Sequence, residues 1–504
     1  MGCSGSKTVK IIDKKPSSRK FIKKQISHRQ TILLDNISKY TDYKLKYEFI
    51  SVLGSGGFGK VRLYKHKETG LKYAIKTLKK NYLNQHAIES IVREVSIAMQ
   101  LDHPNIVKYF ETFEDECYIH VVMEFIPGEN LFGLLCNSQR KITESDMNSI
   151  CKYLLKAVGF LHNNDIVHRD IKPENILFSI PGKWSSLKLI DFGLSIPANV
   201  KDKYRVGSPY YMAPEMIDGK FNKKSDIWSI GVILYLMSTG YFPYSGTSLE
   251  EVMSNIKNGK LKLDKFKNVN KELKDLVKLM LNPDAHKRPS VEEVLSHPWF
   301  TSDLFDDQTD TNNKYLDKSI IEALRNFQNN SLIAKEALFY LAKISSEEEV
   351  IKLKKAFLEM DKDNTGTLEY EEILETFEKL GIKKDEKEIK EIWNGLDFHI
   401  DGKVNYTEFL AATISSVEFF KEEKIWSAFK YFDGENKGYI TCESMINALK
   451  QDNLTVNEAG LKSMFDKLNK KKKVNFEEFK NMLKNRAASI IQSESGLIAG
   501  LQNI

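Results

Sequence analysis

The sequence predicts an α+β amino-terminal unit of two lobes followed by an all-α unit, and three features carry that prediction. A glycine-rich hairpin flanked by strands opens a mixed segment near Tyr47. The run His168-Arg169-Asp170-Ile171-Lys172-Pro173-Glu174-Asn175 packs a carboxylate, a cation and an amide into one short loop at its centre. Acidic loops starting at Asp361, Asp397 and Asp433 recur at intervals of 36 residues near the far end. At 504 residues the chain exceeds what one core supports, so several domains are expected. The longest apolar run, Ile230 to Met237, is too short to cross a bilayer. Five cysteines, Cys3, Cys117, Cys136, Cys151 and Cys442, are scattered and odd in number, which argues for a reducing, intracellular setting without a disulfide framework. The net charge of +6 is modest and no basic stripe is interleaved with aromatics, so nucleic acid is not an expected partner.

Residues 1–46 read as a basic extension. Met1-Gly2-Cys3-Ser4-Gly5-Ser6 fits the N-myristoylation pattern, with Gly2 the acceptor and Cys3 open to palmitoylation. One acyl chain holds a membrane only marginally, and Lys14, Lys15, Arg19, Lys20, Lys23 and Lys24 offer a further electrostatic signal. The alternative is a solvated basic tail with a chance Gly2. The expectation is a cytoplasmic protein attached peripherally to the cytoplasmic face of the plasma membrane.

In residues 47–300, strands flank Gly54-Ser55-Gly56-Gly57-Phe58-Gly59, with Val61 two positions later. Glycines at this spacing let backbone amides approach phosphates; a dinucleotide-binding turn would lead into a helix, whereas here another strand follows. Tyr73-Ala74-Ile75-Lys76 is the next strand, with a lysine suited to phosphate at its end. A helical stretch from about His86 carries Glu94, a natural partner for Lys76. The strand Ile119 to Val122 leads to Met123-Glu124-Phe125-Ile126, Asp191-Phe192-Gly193 supplies another metal-binding carboxylate, and Ala213-Pro214-Glu215 follows. Glu215 is expected to pair with Arg288, and Asp226 to open a buried supporting helix. His168 reads as a packed core histidine.

This set of motifs resembles the eukaryotic protein kinases, over about 250 residues. The resemblance implies a bilobal protein kinase fold and transfer of the ATP γ-phosphate, with Asp170 as catalytic base and Lys172 beside it on the moving phosphate. It implies nucleotide contacts at Leu53, Gly54, Ser55, Gly56, Gly57, Phe58, Gly59, Val61, Ala74, Lys76, Glu94, Met123, Glu124 and Ile126, and Mg²⁺ on Asn175 and Asp191. Asp170-x-Lys172-x-x-Asn175 and Gly207-Ser208-Pro209-Tyr210-Tyr211 are similar to serine/threonine kinases, so protein serine and threonine hydroxyls are the implied substrates and the implied class is non-specific serine/threonine protein kinase. Calcium-regulated relatives carry a glutamate six positions after the hinge acid; here Asn130 stands there. Either Glu129 compensates or the preference for basic substrates is weak.

Residues 301–344 divide into a polar, acidic linker and a helical stretch, Leu316 to Ile344, with Leu316, Ile320, Leu324 and Phe327 on one stripe. A basic amphipathic helix suits the groove of a calcium sensor; a plain interdomain helix is the alternative.

The repeats are EF-hands, with glycine at the sixth loop position (Gly366, Gly402, Gly438) and an apolar residue at the eighth (Leu368, Val404, Ile440, Val474). Residues 345–415 form a first pair and 416–485 a degenerate second pair, before a tail from 486 to 504. Loop 1 offers Ca²⁺ the side chains of Asp361, Asp363, Thr365 and Glu372 and the carbonyl of Thr367, with Glu369 direct or through water. Loop 2 offers Asp397, Asp401, the carbonyl of Lys403, Asn405 and Glu408, with His399 on a ligand position, and is expected to bind more weakly. Loop 3 places Lys437 on a ligand position and ends in Ser444, so it is expected to be empty. Loop 4 has Lys467, Lys471 and Lys472 at key positions; the lysines from 470 to 473 either replace a cation or are simply solvated.

In this order, kinase, junction and EF-hands resemble the calcium-dependent protein kinases of plants and protists, from about Tyr47 to Leu483. That resemblance implies a junction helix that restrains the kinase until calcium lets the sensor capture it. Two rivals stand beside it: a calcium-sensing scaffold with an inert kinase fold, and a calcium-independent kinase whose repeats bind a partner.

Overall fold

The computed structural model describes residues 38–39, 43–56, 59–79, 93, 95–137, 141–200, 206–263, 265–266, 269–301, 315–382, 386–399, 402–414, 421–451, 456–468 and 472–483. Gly2, Cys3, Gly57, Phe58, Glu94 and Asp401 lie outside them.

The small lobe is a sheet whose strands, taken in order across it, begin at Ser38, Tyr109, Tyr118, Lys72, Gly59 and Tyr47. Strands β2 (Tyr47–Gly56), β3 (Gly59–His66), β4 (Lys72–Lys79), β5 (Tyr109–Glu114) and β6 (Tyr118–Glu124) pair antiparallel, and β1 (Ser38–Lys39) adds in parallel beside β5. Gly59 stands opposite Gly56 at φ +145°, and a Cβ there would stand 2.1 Å from the Thr77 carbonyl oxygen, so only glycine lets β3 begin this close to β4. Tyr43, Tyr47, Tyr64, Tyr73, Ile75, Phe113 and Val122 cluster on one face, which anchors the chain entering from the amino terminus.

The large lobe is helical. After α1 (Leu131–Cys136), α2 (Glu144–Asn163) starts in a capping box between Thr143 and Asp146 and buries Ile150, Leu154, Leu155, Val158 and Leu161. Helix α3 (Lys223–Thr239) is buried along nearly its whole length and stops at Gly240, whose φ of +75° ends the helix without strain. One core spans this lobe and reaches into the sheet through Leu78, Ile119 and Val121.

The junction differs from the single helical stretch read from the sequence: it is two helices, α4 (Lys318–Gln328) and α5 (Leu332–Ile344). Ser331 explains the break, because its side chain accepts the Ala334 N–H and starts a new helix after Asn329 and Asn330. The expected stripe is intact: Leu316, Ile320, Leu324 and Phe327 are all buried. Burying side chains of this kind is worth roughly 1.5–3 kcal/mol each, enough to fix the junction where it packs.

It packs against the carboxy-terminal repeats. Helices α6 (Glu347–Met360) and α7 (Tyr370–Lys379) form hand 1, and α8 (Glu386–Leu396) and α9 (Tyr406–Thr413) form hand 2. Helix α4 lies on α8, and α5 on α9. The loops join through short antiparallel ladders, Leu368 opposite Val404 and Ile440 opposite Val474, so four hands make two pairs and share one core with the junction.

Candidate active site and calcium-binding loops

The catalytic loop is held from below by Asp226 at the start of α3. This buried carboxylate accepts the backbone N–H groups of His168 and Arg169, both at 3.0 Å, and pairs with His162 Nε2 at 2.9 Å. Burial would raise its pKa, but these partners hold it below the usual carboxylate range. They also secure Arg169 in the left-handed region, at φ +67°, while its Nε donates to the Leu194 carbonyl at 2.6 Å. His168 is the expected core histidine: Nδ1 accepts the Asp170 N–H at 3.3 Å, so Nε2 carries the proton given to the Ile190 carbonyl.

Asp170 is thereby presented with every contact fixed. Oδ1 accepts from the Ser208 hydroxyl at 2.8 Å and backbone at 3.1 Å, and Oδ2 accepts from Lys172 Nζ at 2.7 Å and Asn175 Nδ2 at 3.3 Å. Lys172 also reaches the Ser208 oxygen at 3.0 Å. Across the cleft, Lys76 Nζ bonds Asp191 Oδ1 at 2.8 Å. Burial would raise the Asp191 carboxyl, but Lys76 and the Gly193 N–H hold it ionised below its ordinary range, as a metal ligand requires. Asp191 itself sits at φ +63°, a second non-glycine residue held in the left-handed region at this site. The donor set fits Mg²⁺: Asn175 and Asp191 offer hard oxygens beside Asp170.

Leu53, Gly54, Val61 and Ala74 lie on β2, β3 and β4, and Met123 and Glu124 end β6, opposite Ala74 and Tyr73 in the ladder. Glu215 and Arg288 pair as expected, through Arg288 Nη1 at 2.7 Å and Nη2 at 2.5 Å. Asn130 serves the fold locally, since its side chain accepts the Gly133 N–H at 2.8 Å and caps α1. An asparagine directly before an apolar run is the local signal for that.

In hand 1 the ligands converge. Oxygens of Asp361, Asp363 and Glu372 lie within 4.8 Å of one another, and Asp361 Oδ1 is buried without a hydrogen-bond donor among the described residues. Thr365 and the Thr367 carbonyl close the loop through a 3.1 Å hydrogen bond, and Gly366 turns at φ +76°. Burial, helped by Glu372 and Asp363 and opposed by Lys156, pushes the Asp361 carboxyl up to about 7. Asp361 and Glu372 both have raised pKa values, chiefly through burial, and with a buried oxygen lacking a donor among the described residues this cluster suits Ca²⁺.

The other loops diverge. In hand 2 the Glu408 Oε1 accepts from His399 Nδ1 at 2.6 Å, so the closing carboxylate already faces a side chain. Burial lowers the histidine pKa, but Glu336 and Glu408 outweigh it and raise it to about 10. In loop 3 Lys437 pairs with Glu435. In loop 4 Lys472 takes the left-handed conformation of the missing glycine, at φ +51°, and its ammonium meets Asp466 at 2.5 Å, while Lys473 lies over the Tyr439 ring at 3.7 Å. Lys470 and Lys471 lie outside the described residues.

How the sensor meets the kinase leaves no mark on the sequence. Asp102 accepts both the N–H and the hydroxyl of Thr407, each at 2.9 Å, in the first turn of α9. Lys156 on α2 donates to the Leu358 carbonyl at 2.8 Å, three residues before the first ligand of loop 1. Gly366 sits so close to Phe160 and His103 that a Cβ there would be 2.3 Å and 2.9 Å from their rings. Buried Lys188 lies 3.3 Å from Glu124 of the hinge strand and 3.3 Å from Glu347, the first residue of α6, which also holds Lys354 at 2.6 Å.

A protein kinase domain model matches residues 47–300, and an EF-hand domain pair model matches residues 351–414. Calcium-dependent protein kinase 22 of Arabidopsis thaliana is 34% identical over 91% of this chain and 93% of its own length. Calcium-dependent protein kinase 34 of the same plant is also 34% identical, over 88% and 85%. Calcium-dependent protein kinase 4 of Plasmodium falciparum is 33% identical over 87% and 86%. With the kinase cleft, the acidic loop of hand 1 and likeness at this level along almost its entire length, the chain belongs to the calcium-dependent protein kinase family.

Proposed function

We propose that this calcium-regulated serine/threonine kinase works through the residues gathered between its lobes and is switched through hand 1. The observation that carries the reading is the double engagement of Asp170, fixed by Ser208 on one oxygen and by Lys172 on the other. Bound ATP supplies the phosphoryl group, and Mg²⁺ neutralises its charge. Asn175 and Asp191 would hold the metal. Lys76 positions phosphate, with Glu94 its expected partner, and the glycine turn from Gly54 to Gly59 covers it. Asp170 orients the serine or threonine hydroxyl and takes its proton, while Lys172 stays beside the carboxylate to balance charge.

For regulation, Asp361, Asp363, Thr365, Thr367 and Glu372 would hold Ca²⁺. The burial of α4 and α5 in the sensor supports capture of the junction; without calcium, the junction restrains the kinase. Gly2 and Cys3 would carry myristate and palmitate and, with the basic extension, hold the protein at the cytoplasmic face of the plasma membrane. Membrane recovery unchanged by Gly2→Ala would refute that anchor.

The central test is phosphorylation of a generic serine/threonine peptide with and without calcium. The wild type should respond to calcium, and Asp170→Asn should lose about 10²–10⁴-fold of the rate in both conditions, the usual contribution of a positioned base. Equal wild-type rates with and without calcium would favour a kinase with a partner-binding sensor. No rate in either would favour a scaffold.

A further inference from the structure

Hand 2 keeps the frame of a calcium loop and loses its chemistry. Gly402 turns at φ +80° and donates to Asp397 Oδ2 at 3.1 Å, Val404 pairs with Leu368, and Glu408 completes a capping box with Asn405. The third position differs, where His399 stands in place of an oxygen ligand. Its Nδ1 donates to Glu408 Oε1 at 2.6 Å, and its Nε2 faces Oε2 of Glu336 on junction helix α5 at 3.7 Å, an attraction between charges rather than a hydrogen bond. All three side chains are at most 5% exposed, so this contact is sealed from water. Phe339 of α5 meets the ring edge-on at 5.0 Å, and Phe398 lies against it at 4.3 Å.

We propose that hand 2 takes no calcium: the His399 ring fills the ion's place and latches α9 to α5 through Glu408 and Glu336, so that the chain binds one Ca²⁺, at hand 1. Calcium takes six to eight oxygens, and a ring nitrogen at position three is a poor substitute. Entry of the ion would also require Glu408 to release the His399 N–H. That would strand a buried donor and remove the group facing Glu336, in a place where water cannot replace either. Calcium therefore does not enter at the weaker second site expected from Asp397, Asp401, Lys403 and Glu408. Hand 2 therefore keeps its contact with α5 whether or not calcium is present, and the calcium-dependent step of capture falls to hand 1. The inference rests on the reading of hand 1 as a calcium site.

The test is a count of bound calcium on the full-length protein, using calcium chloride alone, by titration calorimetry and native mass spectrometry. Expected counts are one for the wild type, two for His399→Asp, none for Glu372→Gln and one for the double variant. Two ions on the wild type would overturn the inference, as would a count that stays at one in folded His399→Asp. A wild-type count of zero that rises to one in His399→Asp would uphold hand 2 and refute hand 1. His399→Asn, which also restores an oxygen, serves if the aspartate variant fails to fold and is expected to give two. Thermal melts give an independent readout: calcium should raise the midpoint of His399→Asp more than that of the wild type, and an equal rise would count against the latch.

Discussion

Hands 1 and 2 share one loop frame, and the sharpest difference in their chemistry is position three, Asp363 in one and His399 in the other. Both turn on a position-six glycine, at φ +76° and +80°, both join the same two-residue ladder, and both end in a glutamate whose Oε2 accepts the backbone N–H of position nine. Hand 1 gathers three acids, two of them buried, and an oxygen without a donor among the described residues; hand 2 holds an imidazole against a carboxylate. The shape of the loop is therefore carried by its backbone and caps, and the ion is chosen by the side chains pointing inward. Loop 4 extends the point, since Lys472 keeps the glycine's turn while its ammonium pairs with Asp466.

The strongest way to break the contrast is to make hand 1 resemble hand 2. Asp363→His should lower calcium affinity at hand 1 by about 30-fold, the equivalent of roughly 2 kcal/mol, because an oxygen ligand is replaced by a ring nitrogen. The ladder between Leu368 and Val404 should survive, and circular dichroism without calcium should be unchanged; unaltered affinity would show that position three does not decide the ion.

Acid gives a graded test. Asp361 has its pKa raised to about 7 and must be ionised to bind calcium, so its proton competes with the ion. Apparent affinity should be flat above that value and fall by up to about tenfold per pH unit below it, one proton being exchanged. Titrations that superimpose from pH 8 to pH 6 would refute the competition.

The smallest effect concerns the kinase's own cation beside the loop. Lys156 is buried on α2 and bears electrostatically on Asp361. Lys156→Met should remove a competing positive charge and tighten calcium binding about fivefold, the equivalent of roughly 1 kcal/mol. Weaker binding would mean that Lys156 instead holds the loop in shape.

The catalytic loop and the repeats could be read directly from the chain because their chemistry is local: Asp170, Lys172 and Asn175 lie within six residues, and an EF-hand carries its ligands within twelve. Even the ladder partners followed from position eight. Ser331 and Asn130 were also within reach, since a cap is a local signal, yet a continuous apolar stripe masked one and a family expectation the other. What could not be read is the way the halves meet. Asp102 and Thr407 are separated by 305 residues and Lys156 and Leu358 by 202, and such single contacts leave no period or spacing in the sequence. The role of Glu336 was hidden for the same reason, because it acts on a loop that begins some sixty residues later.

Lys188 bears on how the enzyme can be taken apart. Burial works against its charge, and Glu124 and Glu347 together more than restore it. Only one of those two carboxylates belongs to residues 47–300. A catalytic fragment cut before the junction would keep the lysine, lose half of its compensation and leave the side chain of Asp102 without Thr407. Such a fragment is thus a protein with a wounded surface rather than a liberated enzyme, and rates measured on it would report repair of that surface as well as release from control.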